Sequence, residues 1–389
     1  MVVQTQVRSG EGAGAACGAP PMRTPRSLEI DITGRCNLRC AYCYHFASVA
    51  DVGQDLPTET WLAFFAELKR HAVLDVTLSG GEPFCREDLP ALIDGIVAAN
   101  LRFSVLSNGT LITPQMARLL AVTRRCDYVQ VSVDGSHAGA HDSACGRGSF
   151  SRALDGLRAL QAAGVNVAVR VTIHRGNVGD LDAIARFLLV DLGLPAFGAN
   201  SAGNVGLCRE HAPDMLLTTD ERSLAMETLL RLSREYAGRI GATAGPLAEA
   251  RGWTAMLAAA DDAGGGAGEA RRGGRLNGCG VGGSKLAVRA DGVITPCSQL
   301  PQIELGHIAR DDLGQVWREH PELVRLRGRH TIPLSAFPFC ADCAYRAWCT
   351  GNCPGMASAH GGGAYAPSPD ACLRRFLEDG GRLPGGVRA

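Results

Sequence analysis

The run Arg35-Cys36-Asn37-Leu38-Arg39-Cys40-Ala41-Tyr42-Cys43 carries three cysteines separated by three residues and then by two. Spacings this short fold one loop around one metal group. Each thiolate can bind one iron of a 4Fe–4S cube, which has four irons. Three ligands leave one iron open, and an open metal position is where chemistry happens. Taken alone, three cysteines within eight residues also suit a zinc knuckle.

The next hundred residues weigh against zinc. Gly80-Gly81-Glu82-Pro83-Phe84 follows the apolar run Asp75 to Ser79. Ser107-Asn108-Gly109-Thr110 ends a second short run, and Ser132-Val133-Asp134-Gly135 ends a third. Strand-then-glycine turns are common, so each motif is weak alone. Together and in this order they resemble the radical S-adenosylmethionine (SAM) superfamily. The resemblance implies that Cys36, Cys40 and Cys43 hold a 4Fe–4S cluster whose open iron chelates the amino and carboxylate groups of SAM. One electron then cleaves SAM to a 5′-deoxyadenosyl radical. The resemblance also implies that Tyr42, Gly80, Gly81, Glu82, Pro83, Asn108, Ser132, Asp134 and Arg147 contact SAM, with Glu82 at its ammonium. Glycines allow close backbone approach, and a carboxylate suits a cation.

From Leu28 onward, strand-like and helix-like segments alternate. Strands are expected at 28–32, 74–79, 102–107, 127–133, 166–174 and 195–199, and helices at 57–72, 87–99, 113–122, 149–163, 180–192 and 219–237. Such alternation predicts an α/β fold of parallel strands with right-handed crossovers. Six units make three-quarters of a barrel, matching the partial (β/α)6 TIM barrel of the family. The motifs sit just after their strands, at the C-terminal mouth where barrels place their sites.

A second cysteine set follows: Cys279, Cys297, Cys340, Cys343, Cys349, Cys353 and Cys372. In order and spacing it resembles the SPASM domain, a small Cys-rich extension with auxiliary 4Fe–4S clusters. By resemblance Cys340, Cys343, Cys349 and Cys372 hold an outer cluster, and Cys279, Cys297 and Cys353 an inner one. An additional cysteine present in fully ligated family members is missing from Gly280 to Lys285, so the inner cluster has an open iron or a non-cysteine ligand. A pair of zinc sites is the plainer alternative. The expected domains are a disordered tail at 1–26, a radical SAM core at 27–240, a linker at 241–278, a SPASM domain at 279–376 and a tail at 377–389. Of the remaining cysteines, Cys17, Cys85, Cys126 and Cys208 read as small buried hydrophobes. Cys145 is different. It stands in His141-Asp142-Ser143-Ala144-Cys145-Gly146-Arg147, where many family members have His-Asp-x-x-Arg-Gly. Either Arg147 meets the SAM carboxylate from a shifted loop, or Cys145 faces the cavity as a hydrogen-atom donor.

Composition bounds the partners. Lys+Arg 39 against Asp+Glu 39 gives zero net charge, which argues against a nucleic-acid face. No apolar run approaches the length of about 18 residues that a membrane span needs. No secretory signal precedes the fifteen cysteines, which points to metal or catalysis in a reducing cytoplasm.

The reading these features favour is an enzyme that abstracts a hydrogen atom from a ribosomally made peptide, leading to a crosslink, oxidation or epimerisation. The preference for a peptide rests on family association. One alternative is a natural-product enzyme acting on a small molecule such as a sugar, aminoglycoside or nucleoside antibiotic. Another is a non-catalytic Fe–S electron-transfer or redox-sensing protein. Expected partners are the substrate and an electron donor such as flavodoxin or ferredoxin. A separate leader-peptide recognition protein is a further expectation, since only about 25 residues precede the first strand.

Overall fold

The computed structural model describes residues 22–46, 55–261, 273–276 and 279–384. Its centre is an arc of parallel strands, each followed by helical structure. The elements are β1 (Ser27–Thr33), α1 (Thr58–Arg70), β2 (Asp75–Gly80), α2 (Leu89–Ala98), β3 (Arg102–Ser107), α3 (Pro114–Thr123), β4 (Cys126–Ser132), α4 (Ala138–Cys145), α5 (Ser149–Ala162), β5 (Val167–Ile173), α6 (Leu181–Arg186, running into a π turn at Phe187–Asp191) and β6 (Phe197–Ser201). The single turn α7 (Ala212–Met215), then α8 (Thr219–Glu235) and a short β7 (Ile240–Gly241), complete the arc.

The alternation within each strand explains the layering. Leu28, Ile30 and Ile32 of β1, Val129 and Val131 of β4, and Val169, Val171 and Ile173 of β5 are buried in one core with the helices. The intervening residues point into the arc and are mostly polar: Glu29, Ser79, Gln130, Ser132, Arg170 and Thr172 line its hollow. Burying the apolar rows stabilises the fold by about 1.5–3 kcal/mol per large side chain. It also leaves the polar rows free for a site.

Past β7 the structure departs from the expected linker at 241–278. Pro246–Asp261 forms α9, with Leu247, Ala250 and Trp253 buried at helical spacing. Residues 273–276 already pack on the C-terminal region: Gly274 N donates to Cys349 O at 2.8 Å and Leu276 N to Ile332 O at 2.9 Å. The expected tail at 377–389 also begins as packed structure. Leu383 is buried, and Arg382 N donates to Ser223 Oγ at 3.1 Å. At the other end Met22 O accepts from Trp317 Nε1 at 2.7 Å, so the N-terminal tail is anchored from residue 22. Residues 1–21, including Cys17, lie outside the described residues.

The C-terminal region contributes β8 (Lys285–Val288), β9 (Val293–Thr295), β10 (Gly306–His307), α10 (Leu313–Glu319), α11 (Pro321–Arg327), α12 (Pro338–Ala341), α13 (Pro354–Ala359) and α14 (Leu373–Glu378). Its hairpin joins the barrel's own sheet. β8 runs parallel to β1, with Glu29 opposite Ala287, and the strand order is β10-β9-β8-β1-β2-β3-β4-β5-β6-β7. Leu286, Val288, Ile294 and Trp317 belong to the barrel's core. This junction brings the second cysteine set against the first. No helix among the described residues is long and apolar enough to cross a membrane.

Candidate active site

The loop after β1 is clamped by two others. Thr33 Oγ1, Gly34 N and Arg35 Nε all donate to the Asp55 carboxylate, at 2.8–3.0 Å. Gly81 N donates to Thr33 O at 2.9 Å, and Glu82 N to Arg35 O at 2.7 Å. Gly80 has φ +119°, and a Cβ on Gly81 would collide with the Arg35 carbonyl and press on the Cys36 side chain. Here the two glycines are required by backbone-to-backbone contact. Cys36, Cys40 and Cys43 are half-buried and face one cavity. Burial pushes the Cys36 thiol up to about 12 and raises Cys43 as well. These thiols are therefore protonated until a metal takes them as thiolates.

Glu82 does not face that cavity. Its side chain is fully buried, and its carboxylate accepts from Ser107 Oγ (2.8 Å), Asn108 N (2.7 Å) and Phe84 N (3.2 Å). Burial pushes it up to about 7 despite these bonds. Glu82 thus ties the loop after β2 to the loop after β3. Pro83 is buried at the start of a 3-10 turn. Tyr42, Gly80, Gly81, Asn108 and Ser132 do line the cavity. Asn108 Nδ2 donates to Asn37 Oδ1 at 3.0 Å and lies 3.9 Å from Cys36 Sγ.

Asp134 is also walled in. Its Oδ1 accepts from Thr172 N at 2.7 Å, and its Oδ2 takes the Tyr42 hydroxyl hydrogen bond. Asp134 N donates to His141 Nδ1 at 3.0 Å. The helix that supplies His141, α4, was absent from the sequence reading, and it also carries Cys145. Cys145 is its last residue, lines the cavity, and has its sulfur 3.0 Å from the Tyr42 hydroxyl. A hydrogen bond with Cys40 and burial hold this thiol well above the ordinary range, so it keeps its hydrogen. Arg147 is exposed and lies outside the cavity lining. His174 stacks on Tyr42 with centroids 5.9 Å apart, and burial pulls both His141 and His174 down, leaving neutral rings. Among the leftover cysteines Cys208 is buried as expected, whereas Cys85 and Cys126 are half-buried.

The second cysteine set falls into two groups in space. Cys340 is pushed up to about 11, first by burial and then by Cys349, Cys372 and Cys343. Cys297 is pushed up to about 12, first by burial and then by Cys279 and Cys353. The described cysteines form no disulfides. Sets of three, three and four thiols match the donor chemistry of Fe–S clusters, and backbone N–H groups already point at sulfur: Leu38 N at Cys36 and Gly351 N at Cys349, both 3.4 Å. One cavity of about 2230 Å³ runs from Cys36, Cys40 and Cys43 to Cys279 and Cys353.

Residues 30–188 match the family model of the radical SAM superfamily, and residues 279–344 that of SPASM, an iron–sulfur cluster-binding domain. The chain is a radical SAM protein with a SPASM domain. These two domains imply a SAM-binding 4Fe–4S cluster and auxiliary clusters. The SPASM match covers Cys279, Cys297, Cys340 and Cys343 and ends before Cys349, Cys353 and Cys372. This radical SAM protein is 38% identical over 162 residues to the mycofactocin maturase MftC of Mycobacterium tuberculosis, covering 41% of each chain. The chain thus spans about two fifths of the length of that curated relative. It is 23% identical over 372 residues to the PqqA peptide cyclase of Rhizobium meliloti, covering 92% of this chain and 90% of that protein. The crystal structure of Streptococcus suis SuiB bound to precursor peptide SuiA shares the fold, with TM-score 0.67 at 15% identity over 91% of this chain and 77% of that one.

The polar strand positions Glu29, Arg170, Thr172 and Asn200 were not read from the sequence as site residues, yet all four line the cavity. Their signal was present as alternation, in Ala168-Val-Arg170-Val-Thr172 for example.

Proposed function

We propose that this radical SAM/SPASM protein is an enzyme that uses SAM to remove a hydrogen atom from a ribosomally made peptide. The observation that carries the peptide reading is the cavity. Sites for small molecules occupy about 300–1,000 Å³. A cavity of about 2230 Å³ reaching from the first cysteine triad to the inner pair has room for SAM and an extended chain together. MftC and the PqqA peptide cyclase, a maturase and a peptide cyclase by name, support the same reading.

In this reading Cys36, Cys40 and Cys43 hold the catalytic cluster. Cys340, Cys343, Cys349 and Cys372 hold the outer auxiliary cluster, and Cys279, Cys297 and Cys353 the inner one. Bound there, the clusters and SAM supply a 5′-deoxyadenosyl radical and a route for the electron released or taken up afterwards. The chain's own residues orient and exclude water. Gly80 and Gly81 bring backbone to the cofactor, Asn108 and Ser132 present polar groups beside it, and Tyr42 and Asp134 fix the cysteine loop to the β4 end. Cys145, protonated and open to the cavity, is placed to return a hydrogen atom to a substrate radical. A flavodoxin or ferredoxin supplies the initiating electron, a separate protein supplies leader-peptide recognition, and free thiols suit the cytoplasm.

Anaerobic reconstitution should give about twelve irons per chain, and replacing Cys36, Cys40 and Cys43 together by Ala should remove about four of them. The triple variant should form no 5′-deoxyadenosine from SAM. Retention of full SAM cleavage would refute the assignment.

A further inference from the structure

A thiol that gives a hydrogen atom to a carbon radical is left as a thiyl radical, and the chain must refill it before the next turnover. Cys145 is only 4% exposed, so dissolved reductants do not reach its sulfur. Met215, Cys208, Leu216 and Ala202 pack around it as an apolar wall. Among the described residues three polar groups approach the sulfur. Cys40 hydrogen-bonds with it, the Tyr42 hydroxyl lies 3.0 Å away, and Asp134 Oδ2 lies 3.7 Å away.

Two of the three have no hydrogen to give. Cys40, read as an iron ligand, is a thiolate. An electron arriving from that side without a proton would leave Cys145 as a buried, uncompensated thiolate, which is costly. Asp134 is occupied as an acceptor, by Thr172 N at 2.7 Å and by the Tyr42 hydroxyl. The Tyr42 hydroxyl remains, and it carries an electron and a proton together. The fold holds it there. Ala41 N donates to Ala144 O at 2.9 Å, which keeps the cysteine loop beside the end of α4. Asp134 grips the hydroxyl, and His174 stacks on the ring. His174 Nδ1 accepts from Gly176 N at 3.1 Å, and its buried Nε2 has no partner, so the ring serves Tyr42 as a neutral, fixed backing. Phenol O–H and thiol S–H bonds are close in strength, so a hydrogen atom can cross between them with little change in energy.

We infer that Tyr42 is the second hydrogen donor of this site, refilling the Cys145 thiyl radical across the 3.0 Å contact. The inference rests on the Cys145 role proposed above. In the step, the phenol O–H bond breaks and the S–H bond forms. A tyrosyl radical is left facing Asp134. One electron from the low-potential donor and one proton from water then restore the O–H bond.

The test needs no peptide. Reconstituted holoenzyme is given SAM and dithionite in D2O, where the Cys145 thiol and the Tyr42 hydroxyl exchange to deuterium. Wild type should place solvent deuterium in 5′-deoxyadenosine over many turnovers, and Cys145→Ala should place none. Tyr42→Phe keeps the stacked ring and lacks the hydroxyl. It should stop after about one deuterated 5′-deoxyadenosine per chain, with the radical stranded on sulfur. Electron paramagnetic resonance on freeze-quenched wild type should show a tyrosyl radical whose hyperfine pattern narrows when the chain carries ring-deuterated tyrosine. Tyr42→Phe should show none. Iron content and melting temperature establish that each variant is folded and loaded. Tyr42→Phe that sustains deuterium transfer like wild type overturns the inference and leaves the Cys145 role standing. A wild-type spectrum without a tyrosyl radical overturns it too, even where Tyr42→Phe fails to hold iron. Deuterium that is absent from wild type, or unchanged in Cys145→Ala, removes the Cys145 role and the inference with it. SAM cleavage in the same samples shows whether the rest of the proposed function survives.

Discussion

The barrel-mouth cysteine loop and the C-terminal cysteine region hold similar chemistry on unequal frames. The first hangs from regular strands. Backbone bonds to Thr33, Arg35 and Ala144 and the Asp55 carboxylate fix it before any metal arrives. The second is built on α12, α13 and α14, of four, six and six residues. Helices that short do not persist on their own. Its apolar support is a small cluster of Trp253, Leu373, Phe376 and Leu383, with Trp253 and Phe376 centroids 5.0 Å apart. In the first region the protein shapes a site for the cluster. In the second, bound metal would contribute directly to folding.

The largest effect that could break this contrast is removal of metal. Chelating iron from holoenzyme should abolish amide-exchange protection over residues 338–376, a cost on the order of several kcal/mol. Strands β1 to β6 should remain protected. Cys343→Ala should reproduce that local loss, whereas Cys40→Ala should leave the barrel loop's protection nearly unchanged. Equal loss in both regions would mean that the barrel loop is no more preorganised than the C-terminal one.

The inner trio gives the next test, because it joins the two regions. Cys297→Ala should stop product formation, read by mass spectrometry of the substrate, while 5′-deoxyadenosine is still formed at the other cluster. Normal turnover with all iron retained would remove Cys297 from the ligand set.

The smallest effect sharpens the preorganised side. Glu82→Gln should leave SAM affinity within about twofold, since the side chain is sealed behind the loops, and should cost about 1–3 kcal/mol of stability through a weakened network. Its pH signature is distinctive. Burial raises Glu82 from 4.5 to about 7 in the folded protein. Between those values the folded state keeps a proton that the unfolded state has released, so this group's contribution is largest at low pH and falls as pH rises toward 7. The neutral Gln removes that slope from melting temperatures measured between pH 5 and 8. A tenfold loss of SAM affinity at unchanged stability would instead put the carboxylate at the ammonium.

Much of this was legible in the chain. All six strands and all six helices expected of the barrel are present, because their apolar rows recur at periods that local sequence displays. Helix α4 was missed because Ala138-Gly-Ala-His-Asp-Ser-Ala-Cys145 has little apolar contrast, and tertiary contacts bury its Ala140, His141, Ala144 and Cys145. Helix α9 was hidden beside a Gly-rich stretch, and only Trp253 packing on Phe376 shows what it is for.

The sequence by itself determined the order of elements, the cysteine triad Cys36, Cys40 and Cys43 and the loops that carry the motifs, because covalent spacing and periodicity are local properties. Tertiary structure alone decided which motif side chains reach the cavity. Glu82 and Asp134 sit in motif positions yet spend their carboxylates on neighbouring loops, while Arg170, outside every motif, lines the hollow with no hydrogen-bond or ion-pair partner among the described residues. It also decided that β8 joins β1, which sets the second cysteine set against the first. Side-chain direction at a strand end, and pairing between strands more than two hundred residues apart, depend on what the rest of the chain places opposite them.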